Sequence, residues 1–216
     1  HLQRHVAARA AGPVFVAVLS DSGIFPHWER PPPPGVLEFP QFEWIYEHAN
    51  VSGSLPEGCL AAGLAHRCLH ASSALRFVRA VPVFVLQSGA DSWQISDGGN
   101  QLAAGALFRR MREEVAAAVR PPHGGLLDAC FRHCRAWGGI RWGGRSNTDM
   151  FQEWYEARRA AWASGARGAA DHYEGWPLVH AAAPPLAGCY SGQEEHALWH
   201  RRVTRLHGAG GDGDGR

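Results

Sequence analysis

Three short runs of mostly apolar residues recur along the chain. They cover residues 14–19, 81–87 and 125–131, and they are rich in valine, leucine and phenylalanine. Continuous apolar runs of this length, without polar alternation, are typical of strands buried on both faces of a parallel sheet. We therefore predict three buried strands. Pro82 fits this interpretation because it lies near the start of the second run, where a strand tolerates proline.

Between and after these runs, apolar residues recur at helical spacing. Residues 98–120 predict the clearest helix, which the two prolines at 121 and 122 end. Residues 147–163 predict another helix, with Asn147 as its N-cap. Residues 40–50 predict a short helix, and residues 59–78 fit either a helix or a compact loop. The apolar stripe of residues 98–120 comprises Ala104, Leu107, Phe108, Met111, Val115, Ala118 and Val119, and that of residues 147–163 comprises Phe151, Trp154, Tyr155 and Trp162.

This alternation of strands and helices predicts an α/β domain, with a mainly parallel sheet flanked by helices. In such sheets, functional side chains lie in loops just beyond the carboxyl ends of the strands. Asp91 follows the second predicted strand, and His133 follows the third. Asp21 follows the first strand and is a rival carboxylate. It comes early in the chain, so we interpret it as a residue that supports the site.

Composition narrows the class of protein. With 216 residues, 45% of them hydrophobic, the chain can bury a sizeable core. A formal net charge of +1 argues against a nucleic-acid partner, which would favour a basic face. No apolar run approaches the roughly 20 residues that a membrane-spanning helix needs. The chain starts at His1 rather than methionine, and residues 206–216 form a Gly/Asp-rich tail that we predict to be disordered.

The cysteines and one sequon favour an extracellular or cell-wall location. The five cysteines are an odd number, which leaves one thiol free or paired outside this sequence. Asn50 begins an Asn-Val-Ser sequon and is a glycosylation candidate. We expect disulfides rather than a metal site, because the Cys-x-x-His-Cys spacing is cramped for zinc. The candidates are Cys59, Cys68, Cys130, Cys134 and Cys189, with Cys59–Cys68 preferred because the two are close in sequence.

Three segments resemble motifs of the pectin acetylesterase/Notum family. Residues 81–95 read VPVFVLQSGADSWQI and resemble the strand and loop that carry the catalytic acid of that family. Residues 127–134 read LDACFRHC and are similar to the stretch that carries its catalytic histidine. Residues 19–25 read LSDSGIF and resemble a third shared motif. The three segments occur in the order of the family, and together they span most of the chain.

The resemblance implies an α/β-hydrolase-like fold without a cofactor. Residues 1–205 would then form the C-terminal portion of the domain. In the family, a serine-bearing turn precedes the first of the three motifs, so it would fall just upstream of His1. No Gly-x-Ser-x-Gly occurs in this sequence. The implied activity is removal of O-acetyl groups from a pectin-like polysaccharide or another acyl ester. Trp93 and Gln94 are pocket candidates that could instead simply pack, and packing is the favoured role for Trp93.

The chemistry of the two loops agrees with that implication. A serine hydroxyl needs a base to take its proton, and histidine suits this role near neutral pH. A carboxylate then orients the imidazole and stabilises its protonated form. Asp91 before His133 matches the chain order of α/β-hydrolases. We therefore predict His133 as general base and acid, oriented by Asp91.

Two alternatives remain open from the sequence. One is a Notum-like enzyme that removes a fatty acyl group from a protein. The other is a truncated or inactive hydrolase-fold module that acts by binding alone, since this sequence contains no recognisable nucleophile. The aromatic stripe at Phe151, Trp154 and Tyr155 is interpreted as core rather than as a substrate surface.

Overall fold

A computed structural model of the chain describes residues 13–96, 101–134, 141–142, 144–165 and 179–180. The predicted tail at residues 206–216 and Cys189 lie outside the described residues, as does the segment 1–11 expected to follow the serine-bearing turn. The strands are β1 (Val18–Asp21), β2 (Val83–Ser88), β3 (Gly124–Asp128), β4 (Arg141–Trp142), β5 (Arg145–Ser146) and β6 (Val179–His180). The α-helices are α1 (Gln41–His48), α2 (Glu57–Ala61), α3 (Ala71–Leu75), α4 (Gln101–Ala118) and α5 (Asn147–Ala163), and two 3-10 helices cover Ser52–Ser54 and Ala65–Leu69.

Four strands form one parallel sheet in the order β1-β2-β3-β6, and β4 and β5 pair as a separate antiparallel ribbon. The chain crosses from β1 to β2 through α1, α2 and α3, and from β2 to β3 through α4. The predicted mixed α/β fold with a parallel sheet is confirmed. All three main strands therefore end at the same edge of the sheet, where Asp21 pairs in register with Leu86 and Ser88 with Asp128.

The two faces of the sheet bury different helices, because neighbouring side chains on a strand point to opposite sides. Val83 and Val85 of β2 belong to a cluster with the apolar stripe of α4. Phe84 and Leu86 belong to a second cluster with Met150 and Trp154 of α5. The sheet therefore lies between two apolar clusters, one with each long helix, and Trp154 is fully buried in the second cluster, as expected.

Several boundaries differ from those that the sequence predicts. The first strand begins at Val18 rather than at residue 14, because only Val18–Asp21 pair with β2. The N-cap of α5 is Ser146, not Asn147. The Ser146 hydroxyl accepts the backbone N–H of Asp149, and the Asp149 carboxylate accepts the N–H of Ser146 in return. This reciprocal capping box satisfies two helix-end donors, which explains why the helix begins one residue after the serine.

No helix among the described residues is both long enough and apolar enough to cross a membrane.

Candidate functional site

Asp91 and His133 meet at the carboxyl edge of the sheet. Asp91 lies three residues beyond β2, and His133 lies five residues beyond β3. The Nδ1 atom of His133 is 2.9 Å from one Asp91 oxygen and 3.0 Å from the other. The structure therefore brings together the two side chains that the sequence singles out, although they are 42 positions apart in the chain. Their role in catalysis stays a prediction.

Asp91 is held in place by donors from two segments. It is completely buried, and burial of a carboxylate is costly unless N–H groups compensate for the lost water. The backbone N–H groups of Trp93 and Gln94 donate to its Oδ1 atom at 2.9 and 3.3 Å. The side-chain amides of Gln87 and Gln94 each donate to Oδ2 at 3.2 Å. These bonds stabilise negative charge and fix the orientation of the carboxylate.

His133 is oriented on one side and open on the other. Its side chain is 31% exposed, in contrast to the fully buried Asp91. Because Nδ1 faces the carboxylate, the neutral ring carries its proton there and leaves Nε2 as an acceptor. No group of the described residues hydrogen-bonds to Nε2. An imidazole in this arrangement can take a proton at Nε2 and return it.

The loop that carries His133 is tied to both neighbouring strands. Ser92 donates its backbone N–H to the carbonyl of Arg132 at 3.1 Å, and the Ser88 hydroxyl donates to the carbonyl of Cys130. After His133 in the sequence, the backbone N–H of Cys134 donates to the Ser22 hydroxyl at 2.8 Å. His133 is therefore flanked in the sequence by residues bonded to the β1 and β2 loops, which limits how far its ring can shift.

A buried ion pair lies at the base of this loop. Asp128 is completely buried, and its Oδ2 atom accepts the Nε–H of Arg132 at 3.2 Å, while Arg132 is only 3% exposed. The Oδ1 atom of Asp128 also accepts the N–H of Cys130 at 2.9 Å. Burial raises the pKa of Asp128 above its ordinary value, and the adjacent guanidinium opposes that rise. The ion pair thus joins Asp128, before the turn, to Arg132, after it and directly before His133.

The two pocket candidates differ in position. Trp93 is 53% exposed, and its ring centroid lies 5.7 Å from that of His133. It also packs on Phe25 and Phe39, so it both packs and presents a surface beside the imidazole. Gln94 is 1% exposed and turns its amide toward Asp91 and the carbonyl of Ile24. Gln94 therefore does not line a surface pocket. It lies behind the carboxylate and orients it.

Asp21 does not reach the histidine through any bond that the structure shows. Its carboxylate accepts only the neighbouring Ser22 hydroxyl, at 3.3 Å. Its carbonyl lies 3.8 Å from the sulfur of Cys134. This agrees with the interpretation of Asp21 as a supporting residue, because the turn that it starts contacts the segment carrying His133 through Ser22.

The cysteines divide as follows. The preferred pair Cys59–Cys68 forms a disulfide, with a sulfur separation of 2.06 Å. Cys130 is also disulfide-bonded, and Cys134 is a free, partly buried thiol. Asn50 is exposed, two residues after the end of α1, with a positive φ of 47° that asparagine tolerates better than most residues. Among the described residues, no group of three or more His, Cys, Asp or Glu side chains is arranged to hold a metal ion.

Sequence reasoning missed the residues that hold the pair in place. Gln87, the penultimate residue of β2, has a buried amide that bonds to Asp91, to the carbonyl of Ser88 and, through its oxygen, to the N–H of Ile24 at 2.9 Å. A polar residue at the end of an otherwise apolar strand was the available signal. No sequence signal pointed to a buried role for Arg132, because an arginine in a loop is ordinarily solvated.

Neither models of known protein families nor curated proteins match this chain significantly. The function of the Asp91–His133 pair is therefore argued from its geometry and from the motifs that surround it.

Proposed function

We propose that this chain carries the base and the orienting carboxylate of a serine carboxylester hydrolase with an α/β-hydrolase-like fold, which removes O-acetyl groups from a polysaccharide. The observation that carries the proposal is the contact of His133 Nδ1 with both oxygens of the buried Asp91, at 2.9 and 3.0 Å. The motifs around both residues resemble those of pectin acetylesterases, and the tetrapeptide Asp-Ser-Trp-Gln at residues 91–94 favours that branch over a Notum-like deacylase.

The reaction would proceed in two steps. In the first, Nε2 of His133 takes the proton of a serine hydroxyl, the serine oxygen bonds to the acetyl carbon, and the sugar oxygen leaves with that proton. In the second, Nε2 takes a proton from water and the hydroxide oxygen bonds to the acyl carbon. The bond between that carbon and the serine oxygen then breaks, Nε2 returns its proton to the serine oxygen, and acetic acid leaves. Asp91 stabilises the imidazolium in both steps. The serine would come from chain outside these 216 residues, since no Gly-x-Ser-x-Gly turn lies within them.

The exposure of the pair suits this role. A base must be reachable by substrate, whereas its orienting carboxylate works best away from water, where its charge is less screened. His133 is partly exposed and Asp91 is fully buried, which is the division that the reaction needs. The disulfides at Cys59–Cys68 and Cys130, together with the exposed sequon at Asn50, support an extracellular setting.

The test is ester hydrolysis by the full-length protein. Wild type and His133→Ala would be assayed with p-nitrophenyl acetate, and then for acetate release from acetylated polysaccharides. We expect His133→Ala to lose about 10³-fold or more in kcat/KM, because the serine then has no base. His48→Ala is a matched control, since His48 is an exposed histidine that stacks on Trp44 on α1.

Equal turnover by wild type and His133→Ala would overturn the proposal. Absence of hydrolysis by a well-folded wild-type protein would favour the alternative, a hydrolase-fold module that binds without reacting.

A further inference from the structure

A cavity lined by arginines lies at the amino edge of the sheet, opposite the edge that carries the candidate site. Its volume is about 330 Å³, which is within the range of small-molecule pockets. Arg76 follows α3, Arg79 lies in the segment before β2, Arg120 follows α4, and all three line the cavity. His123, directly before β3, lines it as well. The cavity is therefore a separate site, displaced from the candidate pair by roughly the 20 Å length of a six-residue strand.

The three arginines give the cavity a positive charge that no carboxylate of its lining balances. Neither aspartate nor glutamate is among the described residues that line it. None of the three guanidinium groups forms an ion pair with a described residue. All three arginines are exposed, so a ligand can reach them from solvent. Three cations around one recess repel each other, and an anion bound between them relieves that repulsion.

Backbone carbonyls at this edge of the sheet are occupied by internal donors. Both α3 and α4 end here, and the carboxyl end of a helix carries a partial negative charge. The Ala118 carbonyl accepts the N–H of Arg120 at 3.1 Å, and the Arg120 carbonyl accepts the N–H of His123 at 2.8 Å. The Pro121 carbonyl accepts an Nη1–H of Arg79 at 2.8 Å. Because these carbonyls are already bonded, the guanidinium groups dominate what a ligand meets in the cavity.

His123 forms part of the cavity floor rather than a further ligand-binding group. It is 4% exposed, its Nδ1 accepts the N–H of Val83 at 3.1 Å, and its Nε2–H donates to the carbonyl of Leu75 at 3.1 Å. Burial lowers the pKa of His123, and the nearby cations Arg79 and Arg158 lower it further. Recognition therefore falls to the three arginines, which come from three different segments. That arrangement suits a ligand with several anionic groups better than a single small ion.

We propose that this cavity binds a uronate segment of an acidic polysaccharide, as an anchoring site separate from the Asp91–His133 pair. Guanidinium groups bind carboxylates through paired N–H···O bonds, and a polyuronate carries one carboxylate on every ring. The choice of a polyuronate among oxyanion ligands rests on the proposed function, because a pectin-like substrate is itself a polyuronate. A chain anchored here has a raised effective concentration of its acetyl esters near His133.

The first test measures binding without hydrolysis. Isothermal titration calorimetry of the full-length protein at low salt would compare trigalacturonate with its neutral counterpart galactotriose and with inorganic phosphate. We expect trigalacturonate to bind most tightly and its affinity to fall as salt is added, because exposed charges are screened. Absence of trigalacturonate binding would overturn the proposal, as would equal or tighter binding of galactotriose. Equal or tighter binding of phosphate would also overturn it, because the site would then serve simple anions.

Two double variants with the same change in net charge locate the binding. Arg76→Gln/Arg120→Gln removes two exposed charges from the cavity and should weaken trigalacturonate binding about tenfold, since each exposed ion pair contributes up to about fivefold. Arg109→Gln/Arg112→Gln removes two exposed charges from α4 outside the cavity and should leave binding unchanged. Equal loss in the two double variants, or unchanged affinity in the first, would contradict the assignment.

Kinetics then separates anchoring from catalysis. With acetylated polygalacturonate as substrate, Arg76→Gln/Arg120→Gln should raise KM about tenfold, because the polymer loses its anchor. The rise should be confined to the polymer, since p-nitrophenyl acetate carries no uronate. An equal loss of kcat/KM with both substrates would contradict anchoring, because it would mean that the arginines act through the fold.

Failure of the anchoring site is distinguishable from failure of the proposed function. If hydrolysis depends on His133 but trigalacturonate does not bind, the esterase proposal stands and the anchoring site is wrong. If trigalacturonate binds with the expected dependence on the arginines but His133→Ala hydrolyses esters as well as wild type, the anchoring site stands and the catalytic pair is wrong.

Discussion

Asp91 and Asp128 occupy comparable places but have different partners. Each lies at or just beyond the end of a central strand, and each is completely buried. Asp128 pairs with Arg132, which is itself buried and carries a permanent charge. Asp91 pairs with His133, which is partly exposed and leaves Nε2 without a partner among the described residues. On chemical grounds, a buried carboxylate can assist proton transfer only when its partner can exchange a proton and can reach solvent, and of the two pairs only the one at His133 meets this condition.

The largest expected effect comes from Asp91→Asn. The amide would favour the other imidazole tautomer and could not stabilise the imidazolium, so we expect about a 10⁴-fold loss in kcat. Ester hydrolysis by the full-length protein measures this. The matched change Asp21→Asn, at the rival carboxylate, should cost far less. If both variants kept similar activity, the difference between Asp91 and the other carboxylates would have no functional meaning.

The next effect is on stability, from Asp128→Asn. This change leaves Arg132 buried without its counter-charge, which typically costs about 3–5 kcal/mol of unfolding free energy. Urea denaturation followed by circular dichroism measures it. The double variant Asp128→Asn/Arg132→Met removes the stranded charge and should recover much of the loss. If the double variant recovered none of the lost stability, Asp128 and Arg132 would not be a coupled buried ion pair.

A smaller effect is expected from Gln87→Leu. The change removes one donor to Asp91 and leaves the N–H of Ile24 without its acceptor, at a cost of about 1–3 kcal/mol. Activity should fall as well, because the carboxylate loses one of the bonds that orient it. Gln152→Leu on the exposed face of α5 is the control. Similar unfolding midpoints for the two variants would show that the buried network contributes nothing specific.

The smallest effect concerns a histidine that contrasts with His133. His123 is buried, accepts the N–H of Val83 and bonds to the carbonyl of Leu75, and burial lowers its pKa. As the pH falls through about 6.5, the unfolded chain takes up this proton before the folded chain does. The contribution of His123 to the free energy of unfolding should therefore be fully present above that pH and decrease below it. In His123→Gln the decline should be smaller, and an identical pH dependence would exclude His123 as its source.

Much of the candidate site can be predicted from the sequence, because the sequence signals for it are local. Asp91 and His133 could be singled out since each follows an apolar run, and parallel strands end at a common edge of the sheet. The Cys59–Cys68 disulfide could be predicted for a similar reason, because its two residues are only nine positions apart. For these features, the sequence pattern and the structure agree.

The differences between prediction and structure have two sources, long-range packing and an overlooked local signal. Gln94 looked like a pocket residue, yet its bond to the carbonyl of Ile24, 70 positions away, draws it into the interior. Asn147 looked like a helix cap, yet the reciprocal bonds of Ser146 and Asp149 begin the helix one residue earlier. The Gln94 contact is not visible in the immediate sequence, whereas the Ser-x-x-Asp spacing of residues 146–149 is a local capping signal that the prediction overlooked.

The sequence by itself determined the alternation of strands and helices, the apolar faces of the long helices and the candidate pair at the sheet edge. These follow from periodicity and from the geometry of parallel strands. Only the tertiary structure decided which carboxylate meets an imidazole, which meets a guanidinium, and which arginines of distant segments line a common cavity. Those contacts depend on burial and on hydrogen bonds between residues far apart in the chain, and no local pattern encodes them.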